Sequence, residues 1–313
     1  MTGTEPARGP GGVPVADRPR VVGPEWFERA VATPFTEGAV EVEGCPIHHL
    51  AWGDPDRPAV VLVHGGGAHA HWWSFIAPLL AADLRVVALD LSGHGDSGRR
   101  TSYSTETWAA EVLAVTDTAG VRGRPIVVGH SMGGFVTITL AALHGDRLDG
   151  AIIVDSPVRR PDPEMEEGAR GRMFRNPKTY PDLDAALERF VLVPPQPCEN
   201  DWAVDHIARH SLARGEAGWT WKFDRHVFDR DPDASRDHLA RVRCRVAVIH
   251  GELSAIVTRD VSSYMDELLG RTAPFIEIPQ AHHHVPLDQP LALVAALRAL
   301  LADWEHSVPR HAR

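Results

Sequence analysis

Cysteine is scarce in this chain of 313 residues: there are three, Cys45, Cys198 and Cys244, far apart and odd in number. No Cys-x-x-Cys pair occurs. That argues against a disulfide framework or a zinc knuckle and fits a reducing, cytoplasmic compartment. Positive charge is short too. With 32 Lys+Arg against 42 Asp+Glu the net charge is −10 and no basic stripe is visible, so no nucleic-acid partner is expected. Long apolar runs are missing as well. No segment approaches the roughly 18 uninterrupted apolar residues of a membrane span, so no membrane partner is expected either. The first 24 residues are rich in Pro, Gly and Arg but lack the apolar stretch of a secretory signal, so 1–24 reads as a disordered leader. The end, from 306 to 313, reads as a frayed tail.

What is present is an alternation of short apolar runs and longer helical stretches. Strands are expected at 39–42, 47–52, 59–64, 85–90, 125–129, 151–155, 245–250 and 274–278. Several are continuously apolar, such as Val60-Val61-Leu62-Val63 and Ala151-Ile152-Ile153-Val154, which fits strands covered on both faces of a parallel sheet. Helices are expected at 72–82, 104–119, 131–144, 259–269 and 290–305. This order predicts an α/β fold: a doubly wound, mostly parallel eight-stranded sheet with helices on both faces and an antiparallel hairpin at one edge. The alternation breaks over 157–241, a Pro- and Arg-rich stretch with helical pieces at 182–191, 201–213 and 234–242. It reads as a helical cap inserted into a core of 25–156 and 242–313.

Gly129-His130-Ser131-Met132-Gly133-Gly134 follows the run Ile126-Val127-Val128 and opens a helix. This is G-x-S-x-G between a strand and a helix, where small neighbours permit the sharp turn that exposes a nucleophilic serine. His64-Gly65-Gly66-Gly67 follows another strand. Its turn can aim the Gly66 N–H, with Gly67 beside it in contact with substrate, at the same point as the N–H of Met132, and together they would form an oxyanion hole. His64 is expected to tie that turn together. Late in the chain, His282-His283-His284 occupy a loop between a strand and a helix, where the order Ser…acid…His places its base. Three adjacent histidines also raise the question of a metal. Neighbouring side chains diverge in a loop, however, and no other His/Asp/Glu cluster is visible in the sequence, so no metal or cofactor is expected.

Taken in order, His64-Gly65-Gly66, Asp90-Leu91-Ser92-Gly93-His94-Gly95-Asp96-Ser97, Gly129-His130-Ser131-Met132-Gly133 and His283-His284-Val285-Pro286-Leu287-Asp288-Gln289-Pro290 resemble the α/β-hydrolase superfamily over about 38–156 and 242–303. The resemblance implies that the catalytic histidine stands seven residues before the proline opening the last helix, which selects His283. It also implies structural roles for Asp90, His94 and Asp96. The family usually carries its acid in a Gly-x-x-Asp turn after the strand at 245–250. Here that turn reads Gly251-Glu252-Leu253-Ser254, and a serine hydroxyl cannot stabilise an imidazolium as a carboxylate does. Some relatives place the acid one strand earlier, and Asp155 ends that strand. Asp155 is therefore the expected acid, with Glu252 or neither as the alternatives.

The implied activity is a serine hydrolase acting on a small-molecule substrate, a small to medium apolar or aromatic carboxylic ester, through an acyl-enzyme. A lactonase, a thioesterase or a carbon–carbon bond hydrolase would use the same groups. A ligand-binding receptor on the same scaffold is the rival favoured by the missing Asp. Trp219 and Trp221 are candidates for an aromatic substrate wall, or alternatively for the cap's own small core.

Overall fold

The computed structural model describes residues 19–161, 178–229 and 235–306. All eight expected strands form: β1 (Thr36–Val42), β2 (Cys45–Trp52), β3 (Ala59–Val63), β4 (Arg85–Leu89), β5 (Ile126–His130), β6 (Gly150–Val154), β9 (Val246–Gly251) and β10 (Phe275–Ile278). Two short strands, β7 (Leu212–Gly215) and β8 (Gly218–Trp221), lie between β6 and β9 and pair only with each other. The main sheet runs β1-β2-β4-β3-β5-β6-β9-β10. β1 and β2 form the antiparallel edge, and from β4 onward the neighbours are parallel.

The apolar runs explain the layering. Alternate side chains of each central strand point to opposite faces. Val60, Leu62, Val86, Ala88, Val128, Ile152 and Ile249 join one core, with Leu293 and Leu297 of the helix Pro290–His306. Val61, Val63, Val87, Leu89, Val127, Ile153 and Val248 join the other. Against them pack Trp108 and Val112 of the helix Thr105–Thr118, Val136 and Leu140 of Met132–His144, and Met265 of Arg259–Leu268. Burying each such side chain contributes about 1.5–3 kcal/mol, so both faces are anchored.

The segment between β6 and β9 holds the helices Leu183–Leu187, Asp201–His210 and Ser235–Leu239, a 3-10 turn at Arg225–Phe228, and the β7–β8 hairpin. The helix expected over 201–213 stops at His210. There Leu212 pairs with Trp221 and the chain turns between Gly215 and Gly218. The insertion is tied to loops that follow the carboxyl ends of three strands. After β3, His206 Nε2 meets Ser74 Oγ at 2.8 Å. After β4, Gly95 N donates to Lys222 O and Asp224 N to Gly93 O, both at 2.7 Å. After β10, His284 N donates to Gln196 Oε1 at 2.9 Å. The insertion therefore lies over the carboxyl edge of the sheet, where open α/β sheets bind ligands.

The leader up to residue 18, the stretches 162–177 and 230–234 of the insertion, and the tail from 307 lie outside the described residues. The last part of the expected leader departs from a disordered reading. Arg20 pairs with Glu28, Val21 N donates to Asp205 Oδ2 at 3.2 Å, and Gly23 N donates to Glu28 Oε1 at 2.7 Å. The cause is the helix Glu25–Val31, whose Phe27 is fully buried and pins this end to the core. Among the described residues, no helix is long and apolar enough to cross a membrane.

Candidate active site

Ser131 sits between β5 and the helix Met132–His144 with φ 55 and ψ −118. A non-glycine residue there stores roughly 1–3 kcal/mol of strain, so its surroundings must hold it. Ser131 N donates to Val154 O at 2.9 Å, Gly134 N donates to Ser131 O at 3.0 Å, and Ser156 Oγ donates to the same carbonyl at 2.7 Å. The glycines around it are sterically obligatory. A Cβ on Gly133 would stand 2.5 Å from His64 O, and one on Gly134 would stand 1.9 Å from Ser156 Oγ. The turn leaves Ser131 only partly buried.

His283 reaches Ser131 from the loop after β10. Its Nε2 lies 3.0 Å from Ser131 Oγ, and its Nδ1 lies 2.9 Å from Asp155 Oδ1. A carboxylate only accepts, so Nδ1–H donates to Asp155 and Nε2 is left to accept the serine proton. Asp155 is fully buried at the end of β6, itself at φ 48. Its other contacts are the Gly251 N–H at 2.8 Å to Oδ2 and the Ser254 hydroxyl at 2.7 Å to Oδ1. Ser254, the departure from the family pattern, is thus a donor to the Asp155 carboxylate. Its Oγ in turn accepts from Val257 N at 3.0 Å. β6 and β9 are parallel neighbours, which brings the two strand ends together. Glu252 is exposed and accepts from Gln280 N at 2.8 Å, a turn contact away from His283.

The other histidines here have different work. His64 Nδ1 donates to Gly65 O at 2.7 Å and Nε2 accepts from Leu91 N at 3.0 Å, tying the turn after β3 to the end of β4. His130 Nε2 donates to the His283 carbonyl at 2.9 Å and so fixes the histidine loop. Burial pushes His284 down to about 3, with the neighbouring His283 ring adding to the effect, and burial likewise holds His130 well below its ordinary value. His282 is held by its backbone, whose N–H donates to Asp288 Oδ2 at 2.7 Å. Asp90 accepts from His48 Nδ1, Ala70 N and Asp96 N, and His94 Nδ1 lies 3.2 Å from Ser92 O, contacts that shape turns.

The glycine turn lies against Ser131. A Cβ on Gly65 would be 3.3 Å from Ser131 Cβ, and one on Gly66 would be 3.5 Å from Met132 Sδ. Gly67 follows with φ 71. The Cβ built on Gly66 would also stand 3.0 Å from Cε1 of Phe228, a residue of the insertion that sequence reasoning did not single out. Trp221 instead packs inside the insertion, 5.9 Å from the Phe190 ring and 6.1 Å from the Tyr180 ring, and Trp219 bridges to the Tyr180 backbone. These contacts bring neither tryptophan to Ser131. Phe228 carried a weak sequence signal, being one of several aromatics in the insertion.

The expectation of no metal-competent cluster needs correction, because folding gathers residues distant in sequence. Among the described residues, His130/His283/His284, His48/Asp90/Asp96 and His71/His206/His210 each bring three potential ligand atoms within 4.8 Å of one another. In the first, both His283 nitrogens are engaged with Ser131 and Asp155. In the second, the Asp90 carboxylate is filled by His48 and two backbone N–H groups.

A strand–serine–helix elbow, a Ser–His–Asp contact chain and a doubly wound sheet together define a hydrolase. The chain belongs to the alpha/beta hydrolase family, whose sequence model matches residues 60–297. It is 26% identical to an esterase of Mycobacterium tuberculosis over 268 residues, covering 83% of this chain and 88% of that one. Among solved structures it resembles E-2-(acetamidomethylene)succinate hydrolase, with a TM-score of 0.73, 19% identity and coverage of 86% of this chain and 100% of that one. It also resembles the thioesterase domain of the curacin biosynthetic pathway, with a TM-score of 0.71, 22% identity and the same coverage.

Proposed function

We propose that the chain hydrolyses small to medium apolar or aromatic carboxylic esters through an acyl-enzyme on Ser131. The observation that carries this reading is the contact chain Ser131 Oγ–His283 Nε2–His283 Nδ1–Asp155, at 3.0 and 2.9 Å. His283 takes the proton of Ser131 as its oxygen attacks the ester carbonyl. Asp155 holds the imidazole in the required tautomer and stabilises the imidazolium. The N–H groups of Gly66 and Met132 bind the oxyanion. The alkoxide leaves with the proton from His283, and water activated by the same histidine releases the acid. No cofactor takes part.

The similarity to an esterase along most of both chains supports an ester over other acyl substrates. Phe228 beside Gly66 supports an apolar acyl group, with Trp219 and Trp221 reassigned to the framework of the insertion. The described parts of the segment between β6 and β9 act as a cap over this site. The intact contact chain weighs against a receptor that only binds.

The test is pre-steady-state hydrolysis of a chromogenic acyl ester, alongside a thioester and a lactone of matched acyl chain. A burst of one equivalent per chain, with covalent fluorophosphonate labelling at Ser131, is expected. Absence of both burst and label overturns the mechanism. Faster turnover of the thioester or lactone overturns the substrate class alone.

A further inference from the structure

Away from Ser131, histidines gather where the insertion meets the core. His69 and His71 lie on the turn after β3. His206 and His210 are one turn apart on the helix Asp201–His210, so their i,i+4 spacing puts both rings on one face. The His71 and His210 rings stack with centroids 3.9 Å apart, His206 and His210 are 4.5 Å apart, and His71 and His206 are 6.3 Å apart. One ring nitrogen of each falls within 4.8 Å of the other two. We propose that His71, His206 and His210 form a binding site for a zinc-type transition-metal ion that joins the insertion to the turn after β3.

The hydrogen bonds leave one lone pair free on each ring. His210 Nδ1–H donates to His206 O at 2.8 Å, so Nε2 is a bare acceptor. Ser74 Oγ gives its proton to His71 O at 2.9 Å and so accepts from His206 Nε2–H at 2.8 Å, which leaves His206 Nδ1 unprotonated. Neither ring nitrogen of His71 has a hydrogen-bond partner among the described residues. His69 stands beside them, its ring 6.0 Å from that of His71, with its buried Nδ1 unpartnered. It, or water, completes a fourth position.

The chemistry favours a borderline-soft cation. Three imidazoles with no carboxylate or thiolate among them suit zinc and its neighbours, not calcium or magnesium. Ligands must be neutral before they bind. A tetrahedral ion with bonds of about 2.0–2.1 Å needs its donors roughly 3.4 Å apart, so the rings must close on it, unstacking His71 from His210. Both of those rings are only partly buried and lie on separate elements. Closure therefore draws the helix Asp201–His210 toward the turn that carries Gly66 and Trp72.

The experiment uses tag-free, full-length protein dialysed against chelator. Zinc is titrated by calorimetry and cobalt by visible absorption, with thermal melting in parallel. One ion per chain with micromolar or tighter affinity, tetrahedral cobalt bands and a higher melting temperature with zinc are expected. His71→Gln and His210→Gln should each weaken binding by more than about tenfold and abolish the melting shift. His226→Gln and His284→Gln should bind as the wild type does. His71→Gln and His210→Gln lie on different elements, so loss of folding in one, seen by circular dichroism, leaves the other to decide. No saturable binding in the micromolar range overturns the proposal. So does binding that survives both substitutions or disappears only in His284→Gln.

Discussion

At the scale of single residues, two serines have opposite fates. Ser131→Ala should fold as the wild type does and lower ester turnover on the order of 10⁴-fold or more, measured as kcat/KM on a chromogenic ester. A variant keeping a tenth of the activity would remove Ser131 from the reaction. Ser254→Ala deletes one donor to the Asp155 carboxylate and leaves the Gly251 N–H in place. A hydrogen bond to a charged group is worth about 1.5–3 kcal/mol, so kcat should fall by roughly 10- to 100-fold with KM little changed. Asp155→Asn should cost on the order of 10³–10⁴, because the amide favours the wrong imidazole tautomer, whereas Glu252→Gln should be mild. The reverse ranking, read from the same steady-state assay, would transfer the role to Glu252. Ser131 and His283 were legible because short motifs surround them. Phe228 and the donor role of Ser254 were not, since each depends on a contact between segments far apart in the chain.

At the scale of elements, the elbow between β5 and its helix tolerates almost no added volume. Gly133→Ala forces a methyl to within 2.5 Å of the Val63 and His64 carbonyls. Overpacking of this kind costs about 1–3 kcal/mol or more, so the urea midpoint should drop and activity with it. An unchanged midpoint would show that the turn can relax. The central strands β3, β4, β5, β6 and β9 could be read directly because strands buried on both faces are mostly continuous apolar runs. The β7–β8 hairpin escaped because its strands are four residues each and half-buried. Its alternation of Trp219, Trp221 and Phe223 with polar residues was the available signal. The helix Glu25–Val31 was hidden behind a Pro- and Gly-rich leader, although Pro24 ahead of it and the pair Trp26-Phe27 marked its start.

At the scale of the whole molecule, the buried histidines tie stability to pH. Burial pushes His69, His206 and His284 down to about 3, so between there and the ordinary value near 6.5 only the unfolded chain binds their protons. Their stabilising effect is present in full above about pH 6.5 and is lost as pH falls, by about 1.4 kcal/mol per pH unit for each group. Urea midpoints should be level from about pH 7 to 8 and fall steeply below about 6. A level profile down to pH 5 would contradict the burial of these rings in solution. The position of the proposed acid has a further consequence for building chimeras. Asp155 directly follows β6 and precedes the insertion, while the end of β9 and the turn after it contribute only the Gly251 N–H and the Ser254 hydroxyl, so the insertion and that turn can be exchanged at two separate joints. A graft spliced beyond Ser156 keeps both the carboxylate and the Ser156 hydroxyl that steadies the elbow. The turn from Leu253 to Val257 can be rewritten separately, provided one donor to Asp155 survives.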